Sequence, residues 1–328
     1  MLNAYALQEG GLARLTLAAG AAPPAETLWV DLLEPTPEEE RGVEAGLGVD
    51  VPTREEMAEI ESSARLYEER GAVYLTCTIV TRLDTDLPQN SQVTFILKDG
   101  RLVTNRYCDP LPFRRYTAYA ERHATTCNSG PAILAGLVEA IVNRIADVIE
   151  RVGTDLDAVS AEVFARPDRH RRSRRFGERD YRRVLQQVGQ SGELIAKARE
   201  SLVSLGRLLA FVQQSALVTL TQEVRTRLRT LSRDVIAMSD HASFLGNNVS
   251  FILDATLGMI NIEQNNILKI FSVVTVFLLP PSVIGAVYGM NFDHIPWAHE
   301  SWGFLGALGL MLVSALVPYV IFKRRGWL

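Results

Sequence analysis

The chain has 328 residues, of which 47% are hydrophobic and 22% charged, and its net charge is −4. This composition excludes a disordered chain and a collagen-like repeat, and gives no general attraction to nucleic acid. Three cysteines without a CxxC pair exclude a disulfide scaffold and favour a reducing compartment. The charges are unevenly placed, because residues 270–322 contain only two of them, Asp293 and Glu300.

Residues 1–125 have the pattern of a small cytoplasmic α/β domain. Short apolar runs predict four strands, and Asp99-Gly100 between the last two is a hairpin signal. The predicted strands cover 28–32, 72–81, 92–97 and 101–105. Thr36, followed by Pro37 and three glutamates, predicts the start of a helix. Residues 31–70 contain 13 acids and four arginines, which indicates a solvated acidic face or a surface that attracts cations.

From Pro112 onward the spacing of apolar residues is helical. The predicted helices cover 112–124, 130–165, 177–214 and 217–288. We expect residues 126–216 to form a cytoplasmic helical hairpin, and residues 217–268 to form a stalk helix that continues into a membrane span. The hairpin tip, 166–175, reads RPDRHRRSRR. We interpret it as a solvated loop or as a contact with anionic lipid, and not as a nucleic-acid site, because it has no interleaved aromatic rings.

Oxygen-bearing side chains recur every seven residues along the stalk, at Asp240, Asn247, Asp254 and Asn261. In a parallel helical bundle such positions lie on one seam and form rings of oxygen ligands. A solvated stripe is the alternative interpretation.

Two long uncharged runs, 270–288 and 301–322, predict membrane spans. At 1.5 Å per residue they extend roughly 28 and 33 Å, close to the thickness of a bilayer core. We therefore predict a transmembrane domain at 269–328, with spans at about 269–288 and 301–322, an outer loop at 289–300 and a basic tail at 323–328. Two buried helices of a soluble core are the alternative.

The flanking charges predict the orientation of these spans. Lys269 precedes the first span, and Lys323, Arg324 and Arg325 follow the second, whereas the loop between them has no Lys or Arg. The positive-inside rule then places both termini in the cytoplasm. The first residues lack the charged start and apolar core of a signal peptide.

The first span has one face of small and polar residues. Steps of three and four along the helix select Asn261, Asn265, Leu268, Ser272, Thr275, Leu279, Ser282 and Ala286. Such a face in a membrane helix contacts protein or water, so it is either a helix-packing face or the lining of a pore. A pore also requires a symmetric oligomer, because one chain with two spans cannot enclose it.

Several segments resemble the CorA family of metal-ion transporters. The first span ends in YGMNF (288–292), and MINIEQNNILKIFSVV (259–274), LLPP (278–281) and FKRRGWL (322–328) are also similar to that family. In the N-terminal region LWVDLLEPTPEEE (28–40) and EIESSARLYEE (59–69) resemble it as well. The resemblance therefore extends over most of the chain.

The resemblance implies a funnel-shaped homopentamer of α+β membrane subunits in the inner membrane, with the long helix around a pore. It implies inward transport of Mg²⁺, and of Co²⁺ or Ni²⁺, driven by the membrane potential, with Mg²⁺ as substrate and regulatory ligand and no other cofactor. Gly289, Met290 and Asn291 would form the ion entry, and Leu268, Phe271 and Leu279 a hydrophobic constriction. Asn265, Ser272, Thr275 and Ser282 would be polar pore positions, Asp254 an inner carboxylate ring, and Lys323, Arg324 and Arg325 a basic ring.

The resemblance also implies gating by cytoplasmic Mg²⁺, held between an acid of the N-terminal domain and an acid of the stalk. Our candidates are Asp84 or Asp86 with Asp234, and Asp240 as a further stalk acid. When cytoplasmic Mg²⁺ falls, repulsion among these acids would loosen the closed state.

The outer loop departs from the family pattern. Where the family continues Met-Pro-Glu-Leu, this chain has Ile295-Pro296-Trp297-Ala298, and Asp293 and Glu300 are the acids that could restore an acidic rim. His294 and His299 lie in the same loop, and imidazole favours zinc, cobalt or nickel. A ZntB-like Zn²⁺ transporter of the same fold therefore stays an alternative, as does a non-conducting membrane-anchored metal sensor. No catalytic motif is visible, so we expect no enzyme activity.

Overall fold

A computed structural model describes residues 1–8, 10–18, 20–83, 88–164, 178–290, 296–297 and 300–325. The chain divides into two compact units, Met1–Leu253 and Asp254–Leu328. The predicted subdivision of the first unit at residue 125 and the other predicted domain boundaries stay predictions. The hairpin tip, 166–175, lies outside the described residues, and so do Asp84 and Asp86.

Seven strands in the described part of the first unit form one sheet with the order β2-β1-β3-β7-β6-β5-β4. Strands β3 and β7 pair in parallel, and each of the other neighbouring pairs is antiparallel. The four predicted strands are confirmed as β3, β5, β6 and β7, whereas β1, β2 and β4 were not predicted. The strands are β1 Leu2–Gln8, β2 Gly11–Leu15, β3 Thr27–Leu33, β4 Leu66–Glu69, β5 Ala72–Thr81, β6 Gln89–Lys98 and β7 Arg101–Arg106.

Three helices separate β3 from β4, and after β7 the regular elements are helical. The helices are α1 Pro37–Leu47, α2 Arg54–Met57, α3 Ser62–Arg65, α4 Leu111–Ala120, α5 Gly130–Val163, α6 Glu178–Gln214, α7 Gln222–Tyr288 and α8 Gly303–Arg324. The predicted start of α1 is confirmed, because the Thr36 side chain accepts from the backbone N–H of Glu39, and the Glu39 carboxylate accepts from the backbone N–H of Thr36. This reciprocal capping satisfies two donors that the first turn of a helix leaves free.

Helices cover both faces of the sheet. Val43 of α1 belongs to an apolar cluster with Val30 and Leu32 of β3 and Val103 of β7. On the opposite face Trp29 of β3 contacts Tyr116 of α4 at 6.1 Å between ring centres. Beyond the end of β4, the Thr78 N–H of β5 donates to Ser204 of α6. Because successive residues of a strand point to opposite faces, the alternation in β3 supports both layers.

A buried ion pair stands at the end of β7. Arg106 donates to both oxygens of Asp31, at 2.9 and 2.8 Å, and the exposed fractions of the two residues are 5% and 3%. The Arg106 guanidinium also lies 4.7 Å from the ring centre of Phe113 in α4. The pair therefore joins β3, β7 and α4 at one edge of the sheet.

Helix α7 starts at Gln222, so the prediction of a helix from residue 217 was wrong by one turn. Thr221 determines the start: its hydroxyl accepts from the Val224 N–H and its carbonyl from the Arg225 N–H. The side chains that α7 buries within the first unit are Val224, Leu228, Leu231, Val235, Ala242, Leu245 and Ile252. Across from them, a Cβ on Gly192 of α6 would lie 3.1 Å from Val249, so α7 packs closely on the helical hairpin.

Helices α7 and α8 are the two helices of the described chain that are long and apolar enough to cross a membrane. The first predicted span, 269–288, lies within α7, and the second, 301–322, coincides with α8 from residue 303 onward. Pro280 and Pro281 lie inside α7 without ending it.

Candidate functional site

Helix α8 covers one face of the C-terminal part of α7. The ring of Phe277 lies 6.2 Å from that of Tyr319 and 6.3 Å, edge-on, from that of Phe322. About two turns further along, a Cβ on Gly285 would lie 3.1 Å from Met311. Phe277 and Gly285 therefore mark the side of α7 that packs against α8.

The predicted stripe lies on the other side of α7. At about 100° per residue, Leu279 is roughly 200° around the helix from Phe277 and 120° from Gly285. Ser282 is roughly 140° from Phe277 and 60° from Gly285, so it borders the packed side. The side chains of the stripe are exposed in the chain, those of Leu268 to 62%, Phe271 to 67% and Leu279 to 59%. Asn261, Asn265, Ser272, Thr275 and Ser282 are exposed as well. The stripe is thus not the surface on which α7 packs against α8.

The hydroxyl groups of the stripe present oxygen acceptors. Thr275 donates to the Phe271 carbonyl at 2.8 Å, and Ser282 donates to the Leu278 carbonyl at 2.7 Å. With each hydroxyl proton directed back to its own helix, the remaining lone pairs can accept from a water molecule. Pro280 and Pro281 have no N–H, so the carbonyls of the two residues four positions earlier receive no helical hydrogen bond from them.

The inner end of the predicted pathway is acidic and exposed. Asp254 and Asn261 are exposed in the second unit, and Asp234, Asp240 and Asn247 in the first. In the described residues no three His, Cys, Asp or Glu side chains come together as a metal site. Since Asp84 and Asp86 lie outside the described residues, their pairing with Asp234 or Asp240 stays a prediction.

Helix α7 ends beside the predicted ion entry. The Gly289 N–H donates to the Gly285 carbonyl at 3.0 Å, and Met290, 47% exposed, is the last described residue of this segment. The other predicted entry and loop residues, Asn291, Asp293, His294 and His299, lie outside the described residues. Glu300 is described, and its N–H donates to the Trp297 carbonyl at 3.2 Å.

The turn that joins the loop to α8 was not predicted from the sequence. Trp297 has a positive φ of 66°, and its ring lies 5.5 Å from that of Trp302. A Cβ on Gly303 would lie 1.9 Å from the Trp297 carbonyl oxygen, so the turn has no room for a side chain at residue 303. Two tryptophans at the end of an apolar run are typical of a membrane interface, and this pattern in the sequence could have indicated the turn. At the other end of α8, the Lys323 ammonium lies 5.7 Å from the Tyr319 ring, and Lys323, Arg324 and Arg325 are exposed.

Comparisons with known proteins extend over the whole chain. Residues 24–324 match the family model described as CorA-like Mg²⁺ transporter protein. The chain is 34% identical over 328 residues to the magnesium transport protein CorA of Yersinia pseudotuberculosis, covering 100% of both.

Solved structures agree on the fold. The CorA magnesium transporter from Methanocaldococcus jannaschii is similar with a TM-score of 0.76 at 19% identity, over 100% of this chain and 99% of that chain. The ZntB cytoplasmic domain from Vibrio parahaemolyticus is similar with a TM-score of 0.57 at 11% identity, over 79% of this chain and 97% of that chain.

Proposed function

We propose that this chain, which belongs to the CorA-like Mg²⁺ transporter family, transports Mg²⁺ through a membrane pore lined by the stripe on α7. The observation that supports this most is the position of the stripe: oxygen-bearing and exposed, on the side of α7 away from α8. A membrane anchor needs no such face, and lipid does not satisfy its polar groups. We propose transport and not catalysis as the activity.

The pore requires several copies of the chain. A closed ring of identical subunits places the same face of α7 at the symmetry axis in each copy. We propose a homopentamer, the number that the family resemblance implies. Thr275 and Ser282 then form rings of hydroxyl oxygens, Asn265 and Asn261 rings of amides, and Asp254 a ring of carboxylates.

Asn291 is the proposed entry ligand, together with the backbone of Gly289 and Met290. Mg²⁺ dehydrates reluctantly and keeps several waters of its octahedral shell. Neutral amide oxygens accept hydrogen bonds from those waters without removing them, whereas a ring of carboxylates would hold the ion more tightly and slow its release. Leu268, Phe271 and Leu279 form the proposed hydrophobic constriction.

The proposed location is the inner membrane, with both termini in the cytoplasm and the basic residues 323–325 on that side. Inward movement then needs no chemical fuel, because a divalent cation gains about 4.6 kcal/mol per 100 mV of inside-negative potential. We propose that cytoplasmic Mg²⁺ bound by Asp84 or Asp86 with Asp234 or Asp240 closes the pore. Asp234→Asn should then weaken the inhibition of transport by cytoplasmic Mg²⁺.

Zn²⁺ is the second candidate substrate, because His294 and His299 lie in the outer loop. The names of the relatives favour Mg²⁺. Uptake of Mg²⁺, Co²⁺ and Zn²⁺ into proteoliposomes that contain the purified chain separates the two. Uptake of Mg²⁺ and Co²⁺ that survives His294→Ala with His299→Ala supports the proposal. Uptake of Zn²⁺ alone would contradict it, and uptake of no ion would favour the non-conducting sensor.

A further inference from the structure

A cavity of about 490 Å³ opens at one edge of the sheet in the first unit. Strands β3 and β7 are parallel, and β5 runs in their direction because β6 is antiparallel to both β5 and β7. The cavity is lined by Glu34, Arg82 and Tyr107, which directly follow the ends of β3, β5 and β7. In open parallel α/β sheets, small molecules bind outside the carboxyl edge. This sheet is mixed, and its parallel pair, β3 and β7, lies beside the cavity.

The lining of the cavity is positively charged. Four arginines from different parts of the fold line it: Arg54 of α2, Arg82 after β5, Arg114 of α4 and Arg144 of α5. The acids in the lining are Glu34 and Asp109. The described lining has four formal positive charges and two negative ones, which favours an anion over a cation. Arg82 and Arg144 each also interact with another group of the protein.

Asp109 is already engaged in ion pairs. Its carboxylate accepts from Arg106 at 3.0 Å and lies 3.5 Å from Arg114. Arg106 in turn is held by Asp31 in the buried pair described above. Because Asp109 is held in ion pairs, Glu34 is the acid whose charge most directly opposes an anion in the cavity. Glu34 is exposed and has a positive φ of 45°.

Two further features favour an anion. Leu111 and Pro112, the first residues of α4, line the cavity, and in the described structure no side chain caps this helix end. The positive end of the helix dipole is thus directed to the cavity. Pro112 has no N–H and the Phe113 N–H donates to the Pro110 carbonyl at 3.1 Å, so of these three residues Leu111 keeps an N–H for an anion. The Arg54 guanidinium lies 5.5 Å from the centre of the Tyr107 ring, which orients it at the rim.

We propose that this cavity binds a small polyanion that carries phosphate groups. The planar forks of arginine match phosphate oxygens, and several forks around one space suit a ligand with more than one phosphate. The volume lies within the range of small-molecule sites. The site does not depend on the proposed Mg²⁺ pathway. In the sequence, Arg82 and Leu83 of its lining directly precede Asp84 and Asp86, the proposed regulatory Mg²⁺ ligands.

The test is calorimetric titration of the full-length protein in detergent, with EDTA and without Mg²⁺. Pyrophosphate and adenosine triphosphate are the probes, and sulfate and citrate the comparison anions. We expect one site per subunit that binds pyrophosphate more tightly than sulfate or citrate. Arg54→Gln with Arg114→Gln should weaken binding at least tenfold, because charge-assisted hydrogen bonds are lost. The matched control is Arg115→Gln, which removes a neighbouring exposed arginine of α4 and should change the affinity by less than about twofold.

Glu34→Gln tests the proposal in the opposite direction. Removing the opposing carboxylate should tighten pyrophosphate binding about two- to fivefold, a result that misfolding cannot imitate. Absence of saturable binding would overturn the proposal. Equal weakening by Arg115→Gln, citrate binding as tight as pyrophosphate binding, or unchanged or weaker binding to Glu34→Gln would overturn it too.

Discussion

Leu278 and Leu279 offer a matched pair for testing which face of α7 lines the pathway. The two leucines are neighbours with nearly equal exposed fractions, 62% and 59%, and differ by about 100° around the helix. Only Leu279 belongs to the stripe. We therefore change each to cysteine and modify it with a membrane-impermeant methanethiosulfonate that attaches a trimethylammonium group.

The expected effect follows from Coulomb's law. One positive charge about 5 Å from a divalent ion raises its energy by about 1.7 kcal/mol even in the dielectric of water. This corresponds to a decrease in Mg²⁺ flux of more than about tenfold for a single modified subunit. Modified Leu279→Cys should lose nearly all flux, whereas modified Leu278→Cys should lose little.

Mg²⁺ uptake into proteoliposomes, measured with a fluorescent indicator before and after the reagent, is the assay. The unsubstituted protein is the control for the native cysteines, of which Cys77 and Cys127 are buried. Inhibition of Leu278→Cys with no effect on Leu279→Cys would refute the assignment of the stripe to the pathway.

Three further predictions concern the two units separately. Arg106→Met leaves Asp31 buried without its partner, so we expect the free energy of unfolding to fall by about 3–5 kcal/mol. In a thermal shift assay the Tm should fall by about 6–20 °C, and adding Asp31→Asn should restore part of it. Gly303→Ala should destabilise the turn before α8 by about 1–3 kcal/mol and reduce the Mg²⁺ flux. Gly309→Ala is the control: a Cβ there meets no atom within 4 Å, so the stability and the flux should stay unchanged. Burial raises the pKa of Cys77 to about 12, so its thiol should resist labelling at pH 8 until the protein unfolds. Between pH 9 and about 12 the folded Cys77 thiol keeps its proton, whereas the thiol of the unfolded chain loses it. The contribution of this thiol to stability is therefore present below pH 9 and is lost as the pH rises toward 12. A Tm that does not change with pH over this range would contradict the prediction.

The strands that could be predicted are those with strong local signals. Strand β5 is a run of ten buried residues, AVYLTCTIVT, rich in β-branched side chains, and the capping residues of α1 are explicit in the sequence. Strand β1 was missed because Ala4 and Ala6, two of its four buried residues, have low β propensity. Strand β4 reads LYEE, and its pairing with β5 rather than its own sequence makes it a strand.

The stripe on α7 could be predicted because polar residues at helical spacing interrupt an apolar run. The position of α8 could not, because α8 is apolar on all sides and no face of it is marked for contact. The contacts of Phe277 and Gly285 supply that information, and they distinguish a packing face from an exposed one. The cavity at the edge of the sheet was also not predicted, since its arginines are far apart in the sequence.

The most direct test of the account is Mg²⁺ uptake, driven by an imposed inside-negative potential, into proteoliposomes that contain only this chain or its Asn291→Ala variant. We predict uptake by the unsubstituted chain that rises with the potential, and a variant that forms the same oligomer but loses most of the uptake. Uptake that is absent from the unsubstituted chain, or equal in the variant, would contradict a Mg²⁺ pore that begins at Asn291.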